Sequence, residues 1–273
     1  MADTIEIAAG DGRTLVVHDS GDDGRPLLWQ HGSPQTGALL APVLEAARAR
    51  GLRLLSYARP GYGGSAARPG RDVASAAEDV RAVLDALGLD GILTAGASGG
   101  GPHALACAAL LGDRVDGVAV LASPAPDDGG PAWLDGMAAP GGLASARDGR
   151  ETRARFAETD EFDPESFVAA DYAALEEEWA ALGEDVARSE QWGDGGLIDD
   201  DVAFAAPWGV DLAAIRCPVV LVQGGLDRVI PEQHARRLRA LLPTAELIEH
   251  PDDGHVSVLR RLPEALDRLI APS

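Results

Sequence analysis

One serine in the middle of the chain has the surroundings that a nucleophile requires. Ser98 lies in the pattern Gly96-x-Ser98-x-Gly100, after an apolar run and before an Ala/Leu-rich stretch. A strand–turn–helix of this kind holds the serine in strained backbone, with its hydroxyl above the sheet edge. The glycines are needed because a Cβ at either position would meet the neighbouring strand or helix. The N–H groups that begin the following helix favour negative charge at the same point.

The turn alone leaves two functions open. A Gly-rich turn between a strand and a helix can also hold a phosphate. Here Gly96-x-Ser98-x-x-Gly101 lacks the second glycine of the dinucleotide-binding fingerprint. Asp116, however, lies about 20 residues on, where the acidic residue that binds the ribose of a dinucleotide is expected. Catalysis and phosphate binding are therefore about equally supported by this stretch, and the rest of the chain has to discriminate between them.

The composition is that of an ordinary soluble globular chain. Of its 273 residues, 46% are apolar and 25% are charged, which suits one large domain or a domain with an insertion. The net charge of −21 argues against nucleic acid and anionic membrane surfaces as partners, and leaves a small-molecule substrate. All 23 basic residues are arginine, which excludes a Schiff-base lysine and a P-loop lysine.

Cysteine usage and the chain's apolar segments bear on its cellular location. Cys107 and Cys217 each lie in an apolar stretch and are predicted to be small buried hydrophobes, not disulfide partners or zinc ligands. The N-terminus has no basic segment followed by an apolar one, which predicts no signal peptide. No apolar run approaches the roughly 20 residues of a membrane span. We expect a cytoplasmic protein that uses no metal and no cofactor.

Predicted strands and helices alternate along most of the chain. Two segments of alternating polarity at the N-terminus predict a hairpin, and the later strands are apolar runs typical of a mostly parallel α/β sheet covered on both faces. The predicted strands are Thr4–Ala8, Arg13–His18, Pro26–Gln30, Leu52–Tyr57, the run before Gly96, Gly117–Ala122, Cys217–Gln223 and Ala245–Glu249. The predicted helices of this part are Leu39–Arg50, Val73–Leu87, the stretch after Ser98, Glu232–Leu242 and the C-terminal stretch to Ile270.

The alternation stops between residues 124 and 211. This segment has Pro/Gly-rich joints, acidic helical stretches around Arg150–Glu158 and Pro164–Leu182, and no clear strand. We interpret it as a helical cap, 124–211, inserted into a core formed by 1–123 and 212–273. Four of the five tryptophans lie in it, where they either line a substrate pocket or form a small core of the cap, and the second interpretation is favoured. These tryptophans are Trp133, Trp179, Trp192 and Trp208.

Acidic runs within the same segment could belong to a surface or to a cation site. The two runs are Glu176-Glu177-Glu178 and Asp199-Asp200-Asp201. Runs of like charge repel one another and are usually hydrated. We therefore interpret both as solvated helix faces and loops.

Five short motifs follow the predicted strands in a fixed order. They are His31-Gly32-Ser33-Pro34, Arg59-Pro60-Gly61-Tyr62-Gly63-Gly64-Ser65, the serine turn, Gly224–Pro231 and Asp253-Gly254-His255. In this order, and over essentially its whole length, the chain resembles a capped member of the α/β-hydrolase superfamily. The resemblance implies a mostly parallel sheet of the eight-stranded α/β-hydrolase type, flanked by helices and carrying a helical cap insertion.

The resemblance implies three catalytic residues whose types the chemistry explains. The hydroxyl of Ser98 is a poor nucleophile at neutral pH and needs a base, for which His255 is the candidate. The imidazolium that forms needs a fixed carboxylate to hold its tautomer and orientation, and Asp227 is the candidate. The order serine, aspartate, histidine is the one that this fold uses.

The resemblance also implies an oxyanion hole and its supports. Its two donors would be the backbone N–H groups of Gly99 and Ser33, each typically contributing about 3–4 kcal/mol in the transition state. Gly96, Gly100 and Gly32 would have structural roles, and His31 would pack beneath the hole. Whether the Ser33 hydroxyl also donates to the oxyanion is left open.

Other carboxylates compete with Asp227 for the role of the acid. Some relatives place the acid after the sixth strand, which makes Asp127 and Asp128 alternatives. Asp252 and Asp253 adjoin the candidate base, but adjacency in a loop does not direct a carboxylate at its Nδ1. We interpret these two as turn-forming residues.

We therefore expect a serine hydrolase that cleaves a carboxylic ester, or a related carbonyl substrate, through an acyl-enzyme. Serine at position 98 argues against the dehalogenase and epoxide-hydrolase branches, where the resemblance implies aspartate. A peptidase resembling prolyl aminopeptidases is an alternative, although the Gly-Gly that usually follows the histidine is absent after His31. Carbon–carbon bond hydrolases and cofactor-free perhydrolases share the triad. A non-catalytic ligand-binding receptor is the alternative from another class.

Overall fold

A sheet of eight strands passes through the chain in the computed structural model, which describes residues 3–271. The strands are β1 (Asp3–Ala8), β2 (Thr14–Asp19), β3 (Arg25–Gln30), β4 (Leu52–Tyr57), β5 (Ile92–Ala97), β6 (Val115–Leu121), β7 (Val219–Gly224) and β8 (Ala245–His250). Their order across the sheet is β1-β2-β4-β3-β5-β6-β7-β8. β2 pairs antiparallel with β1 and β4, and the remaining pairs are parallel. The predicted hairpin and the predicted mostly parallel α/β fold are confirmed.

The central parallel strands are mostly apolar because both faces of the sheet are covered. All six residues of β5 and all six of β7 are buried. One face packs against α2 (Ser75–Leu87), α3 (Gly100–Leu111) and α9 (Gln233–Leu241), and the other against α1 (Ala41–Arg48) and α10 (Leu262–Ile270). Within residues 3–271, no helix combines the length and apolar character that a membrane crossing needs.

The segment between β6 and β7 is helical. Its helices are α4 (Gly141–Ala146), α5 (Arg150–Ala157), α6 (Ala169–Glu176), α7 (Ala180–Ser189) and α8 (Gly195–Ala205), with short 3₁₀ turns between some of them. The helical stretch expected over Pro164–Leu182 is interrupted, because the backbone leaves the helical region at Glu177 before α7 begins. Residues 124–211 are called the inserted segment below.

The interpretation of Asp199-Asp200-Asp201 as a solvated face is wrong. All three lie on α8 and are buried, at 5%, 0% and 8% exposure. Arginines from other parts of the chain compensate them: Asp199 pairs with Arg150 at 2.6 Å and Asp201 with Arg153 at 2.6 Å. A buried charge is tolerated only when it is paired or hydrogen-bonded, and distant partners of this kind leave no local sequence signal. The run Glu176–Glu178 is exposed, as expected.

Candidate active site

The turn after β5 holds Ser98 in left-handed backbone. Its φ is +50°, and within residues 3–271 Ala122 is the other non-glycine residue with positive φ. Such a conformation costs a non-glycine residue about 1–3 kcal/mol and is typical of functional sites. The flanking glycines allow the close approach that the turn needs. A Cβ on Gly96 would lie 2.5 Å from the Gly100 oxygen, and one on Gly100 would lie 2.0 Å from the Gln30 oxygen of β3.

Ser98, His255 and Asp227 form a continuous hydrogen-bonded chain. Ser98 Oγ lies 3.1 Å from Nε2 of His255, and His255 Nδ1 lies 2.8 Å from Oδ2 of Asp227. The three residues come from different loops. Ser98 and His255 are 157 positions apart in the sequence, and Asp227 and His255 are 28 positions apart. With the carboxylate on Nδ1, the neutral imidazole carries its proton there, and Nε2 is left to accept the serine proton.

The carboxylate of Asp227 is held by its own loop. Its Oδ1 accepts the backbone N–H groups of Val229 and Ile230 at 2.9 and 2.8 Å, which leaves Oδ2 directed at His255. The side chain is fully buried.

The rival carboxylates lie elsewhere and have other partners. Asp127 makes a bidentate pair with Arg147, at 2.7 Å for both bonds, and Asp128 pairs with Arg237. Asp253 pairs with Arg261 at 2.8 Å, and Asp252 is exposed. Of the carboxylates considered in the sequence, Asp227 is the one that the structure brings to Nδ1 of His255.

Electrostatics around His255 favour its protonated form. Burial lowers the imidazole pKa, but the charge of Asp227, its hydrogen bond to Nδ1 and the charge of Asp171 outweigh burial, and the net pKa is raised above 6.5. An imidazole stabilised in this way is a stronger base for the Ser98 proton.

The two backbone groups expected to form an oxyanion hole lie beside Ser98. Gly99 follows Ser98 directly, and a Cβ built on Gly99 would lie 2.4 Å from Oγ of Ser33, so the two residues face one another. Within residues 3–271, neither the Gly99 N–H nor the Ser33 N–H donates to another protein group. Both groups are therefore available to a bound oxygen atom.

The hydroxyl of Ser33 is engaged by another residue. Its Oγ donates to Oδ2 of Asp200 at 2.5 Å and accepts from Nη2 of Arg59 at 2.9 Å. The question left open by the sequence thus has an answer in this geometry: the hydroxyl proton points to Asp200, and the backbone N–H of Ser33 is the available donor.

Asp200 is the centre of a buried polar network that sequence reasoning missed. Besides Ser33, its carboxylate accepts from Arg59 at 2.7 Å, Tyr62 at 2.8 Å and His103 at 3.1 Å, and it pairs with Arg71 at 2.5 Å. Burial raises its pKa, but the two guanidinium charges outweigh burial and hold that pKa well below 3.8. The carboxylate is therefore charged and ties α8 to the loops that follow β3 and β4.

His31 is neutral and supports the same loop. It is buried, and its Nε2 accepts the backbone N–H of Arg59 at 3.1 Å, so its Nδ1 must donate to the Gly32 oxygen at 2.7 Å. Burial, together with the charge of Arg59, lowers its pKa well below 6.5. This fixed tautomer joins the loop after β3 to the loop after β4 beneath the expected oxyanion hole.

Two further buried aspartates of the inserted segment bind loops of the sheet edge. Asp185 on α7 accepts from the backbone N and Oγ1 of Thr36, at 2.9 and 2.6 Å. Asp171 on α6 accepts three consecutive backbone N–H groups, the first of which is that of His255. Sequence reasoning missed both residues, because an isolated aspartate in a helix carries no pattern that distinguishes it from a surface residue.

A cavity of about 650 Å³ opens over Ser98 and His255. The sheet side contributes Trp29 and Leu40, and the inserted segment contributes most of the remaining wall. Its apolar side chains there include Leu143, Phe167, Trp179, Leu182 and Phe204. The paired Arg153 and Asp201 form a polar part of the wall. The cavity has the size and mainly apolar character of a small-molecule site.

The family follows from the fold, from this site and from comparison with known proteins. The family model described as alpha/beta hydrolase fold matches residues 25–261. The chain therefore belongs to the α/β-hydrolase fold family.

Individual relatives agree with this assignment. The chain is 28% identical to the AB hydrolase superfamily protein YisY of Bacillus subtilis over 260 residues, which cover 89% of this chain and 88% of the relative. A thermophilic esterase from Thermogutta terrifontis has a similar structure, with a TM-score of 0.72, 22% identity, and 98% and 97% of the two chains covered. For the enol-lactonase from Burkholderia xenovorans, the TM-score is 0.75, the identity 20%, and the coverage 98% and 100%. At such identities the two structural matches establish the fold.

Proposed function

We propose that this α/β-hydrolase is a serine hydrolase that cleaves carboxylic esters through an acyl-enzyme. The observation that carries the proposal is the chain of hydrogen bonds from Ser98 Oγ through His255 to Asp227, with Ser98 held in left-handed backbone at the head of α3. A phosphate-binding turn would need neither the base nor the buried carboxylate. The base and the carboxylate therefore favour ester hydrolysis over phosphate binding.

Each residue has a definite role in the proposed reaction. Ser98 Oγ attacks the ester carbonyl while His255 Nε2 takes its proton, and Asp227 stabilises the imidazolium. The N–H groups of Gly99 and Ser33 donate to the oxygen of the tetrahedral intermediate. His255 then returns the proton to the leaving alcohol. Water, activated by the same imidazole, hydrolyses the acyl-enzyme and restores the free serine.

The cavity supports an ester with a sizeable apolar part. Its volume of about 650 Å³ and its largely apolar wall suit an acyl chain or an alcohol group of several carbons. Similarity to an esterase and an enol-lactonase agrees with a carboxylic ester or lactone as substrate. The inserted segment 124–211 acts in this proposal as a cap that supplies the specificity wall over a core of 1–123 and 212–273.

The test is a panel of p-nitrophenyl esters of increasing acyl length, assayed beside aminoacyl anilides. The proposal expects hydrolysis of the esters and an initial burst of p-nitrophenol equal to the enzyme concentration where deacylation is slow. Preferential cleavage of the anilides would instead support the peptidase alternative. Absence of turnover together with tight ligand binding would support a receptor.

The activity should depend on the protonation of His255. Because the pKa of this imidazole is raised, the acid limb of kcat/KM should have its midpoint above the ordinary value of about 6.5. Ester hydrolysis measured between about pH 5 and pH 9, with correction for spontaneous hydrolysis, gives this midpoint. A midpoint clearly below 6.5 would contradict the assignment of a base stabilised by Asp227.

Two tryptophans of the inserted segment should respond differently to replacement by alanine. Trp179 lines the cavity, so Trp179→Ala should enlarge it and shift the preference toward longer acyl chains. Trp133 does not line the cavity. Its Nε1 donates to the backbone oxygen of Ala125 at 2.8 Å, and its ring packs against His234 with the ring centroids 5.8 Å apart. Trp133→Ala should therefore lower stability by about 3–5 kcal/mol without reordering the substrates. Relative kcat/KM across the ester panel and denaturant unfolding measure the two effects.

A further inference from the structure

A carboxylate of the inserted segment is enclosed by the loop that carries His255. Asp171, on α6, has no exposed surface. Its Oδ1 accepts the backbone N–H groups of Val256 and Ser257, both at 2.8 Å, and the Ser257 hydroxyl at 2.9 Å. Its Oδ2 accepts the backbone N–H of His255 at 3.2 Å. Three consecutive N–H groups of the histidine loop thus converge on one carboxylate.

The loop has the shape that this carboxylate requires. A Cβ on Gly254 would lie 2.2 Å from Oδ2 of Asp171, so glycine is needed for the close approach. The Gly254 N–H donates to Oγ of Ser257 at 2.7 Å, and this hydroxyl donates in turn to Asp171. The backbone on both sides of His255 is therefore fixed to the same group.

We propose that Asp171 is a positioning residue for His255: the Asp171 carboxylate fixes the loop that holds the base and stabilises the imidazolium formed during ester hydrolysis. This inference rests on the proposed function. It makes the inserted segment part of the catalytic machinery, because the geometry of the base depends on a side chain of α6. The three N–H groups at the carboxylate hold His255 Nε2 within reach of Ser98 Oγ, a distance on which the rate depends steeply.

Two charged groups face His255 from the elements packed around it. Asp227 approaches from the loop after β7, and Asp171 from α6. The carboxylate of Asp253, two residues earlier in the loop, is neutralised by Arg261 at 2.8 Å. Asp171 also accepts the Val168 N–H at 3.0 Å and so caps its own helix, a structural role that any test has to separate from positioning.

The experiment compares Asp171→Asn with the matched control Asp185→Asn. Both residues are buried aspartates of the inserted segment, and both accept backbone N–H groups of the sheet edge, but Asp185 binds Thr36 and not the histidine loop. For each variant we would measure kcat, KM and kcat/KM against pH on the preferred ester. The titration of His255 would be followed by NMR in histidine-labelled protein, with the resonance identified by its loss in His255→Asn.

Asp171→Asn should reduce kcat about tenfold to about 100-fold, with a smaller change in KM, because a misplacement of a catalytic group by about 1 Å can lower the rate about 100-fold. His255 should titrate at lower pH than in the wild type, since one of the charges that raise its pKa is removed. In Asp185→Asn, His255 should titrate as in the wild type. Wild-type kcat and titration in folded Asp171→Asn would overturn the proposal, as would equal shifts in both variants.

If Asp171→Asn does not fold, Ser257→Ala provides the test. This change removes the hydroxyl's hydrogen bond to Oδ1 and the acceptor of the Gly254 N–H, both of which fix the loop, but it keeps the charge of Asp171. We expect kcat to fall while the titration of His255 stays in place. Unchanged kcat would overturn the positioning role. The NMR titration is independent of ester hydrolysis. A wild-type protein without esterase activity would refute the proposed function, and the titration of His255 in Asp171→Asn and Asp185→Asn would still decide the inference on Asp171.

Discussion

Replacement of Ser98 by alanine should lower ester turnover by about 10⁶-fold and leave the fold intact. The loss is that expected when a triad loses its nucleophile. Alanine has the same Cβ as serine and adds no strain at φ +50°, so the turn and the start of α3 should persist. Turnover of the preferred ester gives the loss, and thermal unfolding together with circular dichroism establishes that the variant is folded.

A fluorophosphonate probe checks the same assignment by a covalent reaction. The wild type should be labelled at Ser98, and Ser98→Ala should not be labelled. Ser123→Ala is the matched control, because the Ser123 hydroxyl lies at the same turn and donates to the backbone carbonyl oxygen of Ser98 at 2.8 Å without contacting His255. This variant should still react with the probe. Labelling of folded wild type at another residue, or no labelling at all, would refute Ser98 as the nucleophile and favour the receptor alternative.

Replacement of Asp227 by asparagine should lower kcat by about 10⁴-fold. The two N–H groups from Val229 and Ile230 can still be accepted by the amide oxygen, so the loop keeps its shape. The amide NH₂ then takes the place of Oδ2 and faces Nδ1 of His255, which favours the tautomer whose Nε2 carries the proton. That tautomer cannot accept the proton of Ser98. Steady-state kinetics at the pH optimum of the wild type measures the loss.

The rival aspartate after β6 provides the control. Asp127→Asn weakens a largely buried pair with Arg147 and should leave kcat of the folded variant within about threefold of the wild type, because the carboxylate of Asp127 is bonded to Arg147 and not to His255. The opposite result, with Asp227→Asn near the wild type and Asp127→Asn inactive, would move the acid to the position after the sixth strand.

Local patterns in the sequence were sufficient to predict the succession of strands along the chain and the serine turn. An apolar run that ends in Gly96-x-Ser98-x-Gly100 has few backbone solutions, because the glycines permit contacts that any side chain would block. The central parallel strands β5 and β7 are buried along their whole length and mostly apolar, and they are therefore recognisable without knowledge of their neighbours. Helix ends within the inserted segment were placed less well, because the break at Glu177 has no glycine or proline to mark it.

The sequence left the partners of its aspartates undetermined, and these partners depend on how distant segments pack. Asp200 lies 167 residues from Ser33, and Asp171 lies 84 residues from His255. A triplet of aspartates has the same local pattern whether it faces water or is buried, since the arginines that compensate it come from α5 and from the chain after β4. The same reason applies to the candidate acid of the site. Asp127 and Asp227 were both compatible with the motifs, and only the packing of β7 beside β8 brings Asp227 Oδ2 to 2.8 Å from His255 Nδ1.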